Sequence, residues 1–340
     1  MTDLSPPMRA HMTSLAPMWV EWQTQVPQAL ERCRRMWDLE VQGLLTRSVG
    51  SSLYRVRLRG RDAVLKLARP SAELARQADV LAAAKGHGYV HLYDRDDDQG
   101  ALLLEALGPS MEHRADDLFK SLPAVVVLPL MQGNELIQPM VESLQEAWRL
   151  PTDALPVAPD APHRSTVLHA LIQRMADELG VTERYGAAID RALVYTDHRL
   201  SLRSVSREVL CHGDPHLGNL LEVTSPRPGA PEGYVFVDPD GIVCEPEYDL
   251  GVVMRGFNRL VLAAEDPVVQ VRGWCATLAS LTDTDAEAIW QWSFIERVSA
   301  GLYLMSQGWP ERGYPFLDAA SWLIARKGSP APDSVSRSAR

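Results

Sequence analysis

The sequence predicts an α+β chain in two lobes, a small β-rich one followed by a larger, mostly helical one. Three observations carry this. Strand-like alternation is confined to the N-terminal part, and helical periodicity dominates after Leu107-Gly108-Pro109. The 340 residues also suit about two domains at roughly 150 residues each. With 46% hydrophobic and 23% charged residues, the chain has the composition of a folded protein with ample material for its cores.

The first dozen residues are Pro-rich and polar and read as a loose arm. From Ala16 to Leu39 the pattern is helical, with Val26, Leu30, Cys33 and Trp37 on one apolar face and Pro27 at a first turn. In Leu53–Leu58, Tyr54, Val56 and Leu58 alternate with Arg55 and Arg57, which is strand spacing. Arg59-Gly60-Arg61-Asp62 supplies a turn, and Ala63–Leu67 returns as a second strand. Pro70-Ser71 opens a helix with Leu74, Ala78, Leu81 and Ala82 as its buried stripe, closed by Lys85-Gly86. Short strands are expected at Tyr89–Tyr93 and Ala101–Glu105. Beyond them only Leu220–Val223 and Tyr234–Val237 read as strands. Helices are expected across Tyr248–Ala264, Val269–Leu281 and Asp285–Gln307, the last with Ile289, Trp292, Ile295, Glu296, Ser299 and Leu302 on a wide apolar face. Residues after Lys327 have the composition of a solvated tail.

Net charge is −10, so a phosphate backbone, which needs clustered Lys and Arg, is a poor partner. The expectation is no nucleic acid and no membrane: the uncharged stretch from Ser121 to Asn134 is too short for a span of about 20 residues. Cys33, Cys211, Cys244 and Cys275 are scattered without a CxxC pair, as in a reducing compartment. The opening residues lack a signal-peptide pattern, and a cytoplasmic protein is expected.

The chemistry concentrates in Val209-Leu210-Cys211-His212-Gly213-Asp214-Pro215-His216-Leu217-Gly218-Asn219. A carboxylate five residues ahead of an amide, in a loop held by Gly and Pro, suits phosphoryl transfer. Asp214 orients or deprotonates an attacking hydroxyl while the Asn219 oxygen ligates Mg2+. Nineteen residues past Asn219, after an apolar strand, comes Val237-Asp238-Pro239-Asp240-Gly241. An Asp at a strand end is placed to hold the Mg2+ that bridges nucleotide phosphates.

These motifs resemble the aminoglycoside phosphotransferases and their protein-kinase-like relatives. That group carries an H-G-D-x-x-x-x-N loop followed by a D-x-D or D-x-G metal motif, matched by His212, Asp214, Asn219, Asp238 and Asp240. Glu245-Pro246-Glu247-Tyr248-Asp249-Leu250 resembles its E-P-x-x-D-L segment. The pairing of V-D-P-D-G with E-P-x-Y-D-L-G, together with Ala286–Arg297, is most similar to the streptomycin/hydroxyurea branch. The likeness covers Met36 to about Ala325.

The resemblance implies a two-lobed, kinase-like fold. Residues 1–106 would form the nucleotide lobe with its N-terminal helix, 107–327 the helical lobe with catalytic loop and acceptor site, and 328–340 a flexible tail. Lys66 resembles the strand lysine that contacts nucleotide phosphates. Gly50, Ser51 and Ser52 would cover them. The Lys66 partner in this family is a helix glutamate. The alignment sets Gln77 at that position, an amide that cannot pair charges, which leaves Glu73, ahead of Asp79, as the substitute. Glu105 would offer its carbonyl and Leu107 its N–H to the base of ATP or GTP. His212 orients the loop, while His216 and Asp240 are further candidates at the metal or substrate. Arg255 and Asn258 lie near enough in sequence to touch substrate, whereas Asp249, Trp290, Trp292 and Phe294 read as structural.

The function implied is transfer of a γ-phosphate to a hydroxyl of a small-molecule antibiotic, a streptomycin-type aminoglycoside first. Hydroxyurea, a tuberactinomycin peptide, a nucleoside antibiotic or a metabolic alcohol are the alternatives. A metallohydrolase built on His212-x-Asp214-x-His216 leaves Lys66, Asn219 and Asp238 without a role. A non-catalytic pseudokinase is disfavoured by intact Asp214, Asn219 and Asp238.

Overall fold

Alternation in the N-terminal part builds an antiparallel five-stranded sheet. The computed structural model describes residues 17–47, 50–115, 134–155 and 161–325. The expected arm, the tail after Lys327 and most of Ser121–Asn134 lie outside them. Helix α1 (Pro17–Met36) is followed by β1 (Leu39–Arg47), β2 (Ser51–Leu58), β3 (Arg61–Ala68), α2 (Ala72–Ala84), β4 (Leu92–Asp96) and β5 (Ala101–Glu105). Sheet order is β1-β2-β3-β5-β4. One face, with Tyr54, Val56, Ala63, Leu65, Leu67 and Leu103, packs under Trp22, Val26 and Cys33 of α1. That leaves the other face of β3, with Val64 and Lys66, for α2 and the cleft below.

Three expectations change here. The first helix stops at Met36, two residues before Asp38 takes a left-handed φ of 51°, and Pro27 lies inside it. The segment expected as its last turn instead enters β1, whose mostly exposed residues and Gly43 hide the strand alternation. The strand expected at Tyr89–Tyr93 begins at Leu92, while Tyr89 makes one isolated bridge to Phe236.

Past the sheet come β6 (Leu107–Ser110), α3 (Asn134–Ala147), α4 (Arg164–Leu179), α5 (Thr182–Ser201), β7 (Val209–Cys211), β8 (Leu220–Val223), β9 (Tyr234–Phe236) and β10 (Ile242–Cys244). Then follow α6 (Glu247–Arg255), α7 (Asn258–Ala263), α8 (Pro267–Thr282), α9 (Ala286–Ser306) and α10 (Pro310–Ile324). The helix expected over Tyr248–Ala264 is thus broken at Gly256-Phe257. Two small sheets, β10-β7 and β6-β8-β9, frame the motif loops. α9 is buried on nearly every side, including Trp290, Trp292 and Phe294, and forms the axis of this part. α6 crosses it so closely that a Cβ on Gly251 would lie 2.4 Å from Trp292 Cβ. Among the described residues, no helix is long and apolar enough to cross a membrane.

Candidate active site

The loop between β7 and β8 is held from below by a single carboxylate. Asp249, in the first turn of α6, accepts from the backbone N–H of His212 at 2.8 Å and of Gly213 at 2.9 Å, and from Trp148 Nε1 at 2.9 Å. Gly213 has φ +98°, and a Cβ there would meet Asp240 Cβ at 2.5 Å, so glycine is required on both counts. His212 is fully buried, and burial pushes its ring down to about 4, leaving it neutral. Its Nδ1 accepts from Asp214 N–H at 3.1 Å, which puts the ring proton on Nε2, donated to Val237 O at 2.9 Å. His212 therefore ties the loop to the strand before Asp238, and it is no base.

Asp249 also gives a stability test. Burial pushes its carboxyl up to about 6, against the lowering by its hydrogen-bond donors. A carboxyl raised in the folded state costs stability when it ionises, so this contribution is present below about pH 4 and lost as pH rises through about 6. Asp249→Asn removes its own share of that slope and leaves the share of Asp240, whose carboxyl is also raised to about 6, but it turns an NH2 toward a loop N–H and should lower stability by about 1–3 kcal/mol. Thermal melts of both proteins between pH 4 and 7 measure the two effects. An unchanged slope would mean that Asp249 is not the titrating group.

Asp214 stands at the cleft floor in an ion pair with Arg255, which also holds Glu296 Oε2 at 2.6 Å. Glu296 is 1% exposed; its Oε1 accepts from Tyr248 OH at 2.9 Å and faces Arg164 at 3.4 Å. Burial works to raise the Asp214 carboxyl, but Arg255, His216 and His212 more than reverse this and hold it below the usual range. His216 accepts from Gly218 N–H at its Nδ1 and faces Asp214 Oδ2 with Nε2 at 3.6 Å. Asn219 donates its amide to Asp214 O at 3.0 Å, and its Oδ1 has no partner among the described residues. Asp240 lies against Gly213, and the surrounding protein and the Asp214 charge push its carboxyl up to about 6.

On the opposite wall, Lys66 Nζ reaches Asp238 Oδ1 at 2.9 Å and Gln77 Oε1 at 3.1 Å. Gln77 Nε2 donates to the same Asp238 oxygen at 2.8 Å. Asp238 holds a left-handed φ of 56°, an uncommon backbone state for a residue with a side chain. The helix partner of Lys66 is thus Gln77, and neither substitute named above takes that role. Glu73 is exposed in the first turn of α2, one turn short of the lysine. Asp79 faces the other way and pairs with Arg95 at 2.5 Å.

Gly50 and Ser51 line a cavity of about 390 Å³ with Lys66, Glu73, Gln77, Asp238 and Asp240. Ser52 is absent from it. Strand residues alternate faces, and Ser52 is buried with Tyr54 and Val56, its Oγ without a hydrogen bond among the described residues. Glu105, Ala106 and Leu107 line a second cavity of about 830 Å³, with Val64 and Arg227. The Glu105 carboxylate is clamped by Arg227 at 2.8 and 3.0 Å, so its side chain is engaged within the protein.

Residues 36–308 match the family model of the aminoglycoside/hydroxyurea antibiotic resistance kinases. The chain belongs to that family. It is therefore a small-molecule phosphotransferase with a hydroxyl acceptor, and the kinase-like fold expected from the motifs holds. Among solved structures, the chain is similar to a thermostable mutant of aminoglycoside phosphotransferase APH(4)-Ia in ternary complex with ADP and hygromycin B. The match has 12% identity and a TM-score of 0.57, covering 87% of this chain and 99% of that one. An ethanolamine kinase of Plasmodium vivax matches at 14% identity and a TM-score of 0.53, covering 83% and 82%. At these identities the likeness concerns the fold alone. A search of curated proteins by sequence finds no match.

The sequence does not point to Arg164 or Glu296 as site residues, and Arg255 is expected there only as a substrate contact. The signal was present in one case: Glu296 is a carboxylate on the apolar stripe of α9. Asn258, the other substrate candidate, is buried and accepts from Arg297 Nε at 2.7 Å.

Proposed function

We propose that the chain transfers the γ-phosphate of ATP or GTP to a hydroxyl of a small-molecule antibiotic, with a streptomycin-type aminoglycoside as first acceptor. The observation that carries it is the Lys66–Asp238 bridge, which brings the strand lysine of the sheet to the motif aspartate of the helical part. In this reading Lys66 and the backbone at Gly50 and Ser51 bind the phosphates. The Glu105 carbonyl and the Leu107 N–H take the base, and Asp214 orients the acceptor hydroxyl and accepts its proton. The complex of APH(4)-Ia with ADP and hygromycin B supports a nucleotide and an antibiotic as the two substrates.

The donor set fits Mg2+. Asp238 Oδ2 and Asn219 Oδ1 are hard oxygens with no hydrogen bond among the described residues. Mg2+ takes one or two protein oxygens and completes its shell with phosphates and water. A cluster of three or more Asp, Glu, His or Cys is therefore unnecessary, and none occurs among the described residues. When bound, the ion neutralises charge on the phosphates; the positioning of the acceptor falls to Asp214.

A phosphate-transfer screen over hydroxyl-bearing antibiotics, with both nucleotides and Mg2+, tests the proposal. The expected product is an O-phosphorylated aminoglycoside. Transfer only to hydroxyurea, a tuberactinomycin peptide, a nucleoside or a metabolic alcohol would overturn the acceptor assignment and leave the chemistry. A polycationic acceptor should also show a Michaelis constant that rises with salt, because screening weakens its attraction to cleft carboxylates. A flat salt dependence would count against an aminoglycoside.

A further inference from the structure

The helix glutamate that the resemblance implies is an amide in this chain, and the geometry gives that amide its own role. We propose that Gln77 is a positioning residue that couples Lys66 to Asp238, so that the lysine is aligned through the motif aspartate and not through a helix carboxylate. The inference rests on the reading of Lys66 and Asp238 as phosphate-binding and metal-binding groups.

Gln77 is 6% exposed on α2 and meets two opposite charges at once. Its Oε1 accepts from the Lys66 ammonium at 3.1 Å, and its Nε2 donates to Asp238 Oδ1 at 2.8 Å. The flipped amide would point NH2 at an ammonium and oxygen at a carboxylate, so the orientation follows from the partners. Lys66 closes the triangle on the same Asp238 oxygen at 2.9 Å. All of this occupies Oδ1 and leaves Oδ2 without a hydrogen bond among the described residues. A glutamine holds the aspartate in that pose because one end of its amide is a donor.

A glutamate in this place has no such end. One of its oxygens would accept from Lys66, and the other would face Asp238 Oδ1 at the distance where an N–H now stands. The consequence is opposite to what a lysine–glutamate pair implies: restoring the family's residue should harm this enzyme.

The test compares wild type, Gln77→Glu and Gln77→Met. The affinity of each for a non-hydrolysable nucleotide is measured by calorimetry with Mg2+ and with chelator, alongside kcat and KM. Methionine keeps the shape and loses both hydrogen bonds. The expected result is that the Mg2+-induced gain in nucleotide affinity shrinks by roughly tenfold or more in both variants, the scale of losing a hydrogen bond to a charged group. kcat should fall with it, while the acceptor KM stays within about threefold on that scale. Thermal melts separate a folding defect, because a merely structural role would lower the melting temperature and leave the Mg2+ effect intact. Wild-type behaviour or better in Gln77→Glu would overturn the proposal. No Mg2+-dependent nucleotide binding in wild type would instead overturn the kinase roles on which it rests.

Discussion

Asp214→Asn should lower phosphoryl transfer about 10²–10⁴-fold, the usual cost of removing a general base, while nucleotide binding stays near wild type. The asymmetry follows from where the side chain points. Asp214 faces Arg255 and His216 at the cleft floor, whereas the cavity lined by Lys66, Gln77 and Asp238 does not include it. Phosphoryl transfer has a loose transition state, so holding the acceptor hydroxyl in line matters as much as taking its proton early. Slow hydrolysis of nucleotide by water should survive in the variant, because water needs no fixed orientation from this carboxylate. Nucleotide affinity by calorimetry and single-turnover transfer separate the two. Transfer within about threefold of wild type, against that expected range, would assign acceptor positioning to another group.

The parts of this site that were legible are those encoded locally. His212, Asp214 and Asn219 share one loop, and Asp238 follows two short strands later, so their grouping could be read from spacing. Asp249 was legible as a structural partner for the same reason. Gln77 was misjudged although its position was right. Lys66 calls for a charge on the helix, and the aspartate that makes an amide useful there lies 161 residues from Gln77. Glu296 and Arg164 lie 132 residues apart, so the contact between them cannot be read from either stretch alone. In the fold, β1 was lost because an exposed edge strand with an internal glycine carries no period-two pattern. Ser52 was misplaced by one step of strand alternation. Apart from β1, each miss is a case where a partner distant in sequence, or the facing of a single residue, decides the role.

Arg255→Ala should disturb both stability and the acid side of the pH profile. The guanidinium joins Asp214 to Glu296, and Glu296 is 1% exposed. Removing one partner of a buried pair costs about 3–5 kcal/mol. Here the lower end is expected, since Arg164 at 3.4 Å and the Tyr248 hydroxyl remain on Glu296. At Asp214 the effect is on protonation. Burial pushes this carboxyl up and Arg255 is the foremost charge holding it down, so its removal should raise the pKa. A protonated Asp214 cannot accept the acceptor's hydroxyl proton, and the acid limb of kcat/KM should move to higher pH. Arg255→Lys keeps a positive charge without the fork that spans two carboxylates. Its acid limb should therefore lie between those of wild type and Arg255→Ala, with a lower transfer rate at the plateau. Profiles of kcat/KM from pH 4.5 to 8, with melting curves on the same samples, measure both. An acid limb that stays in place in Arg255→Ala would mean that the guanidinium braces Glu296 alone and leaves the base untouched.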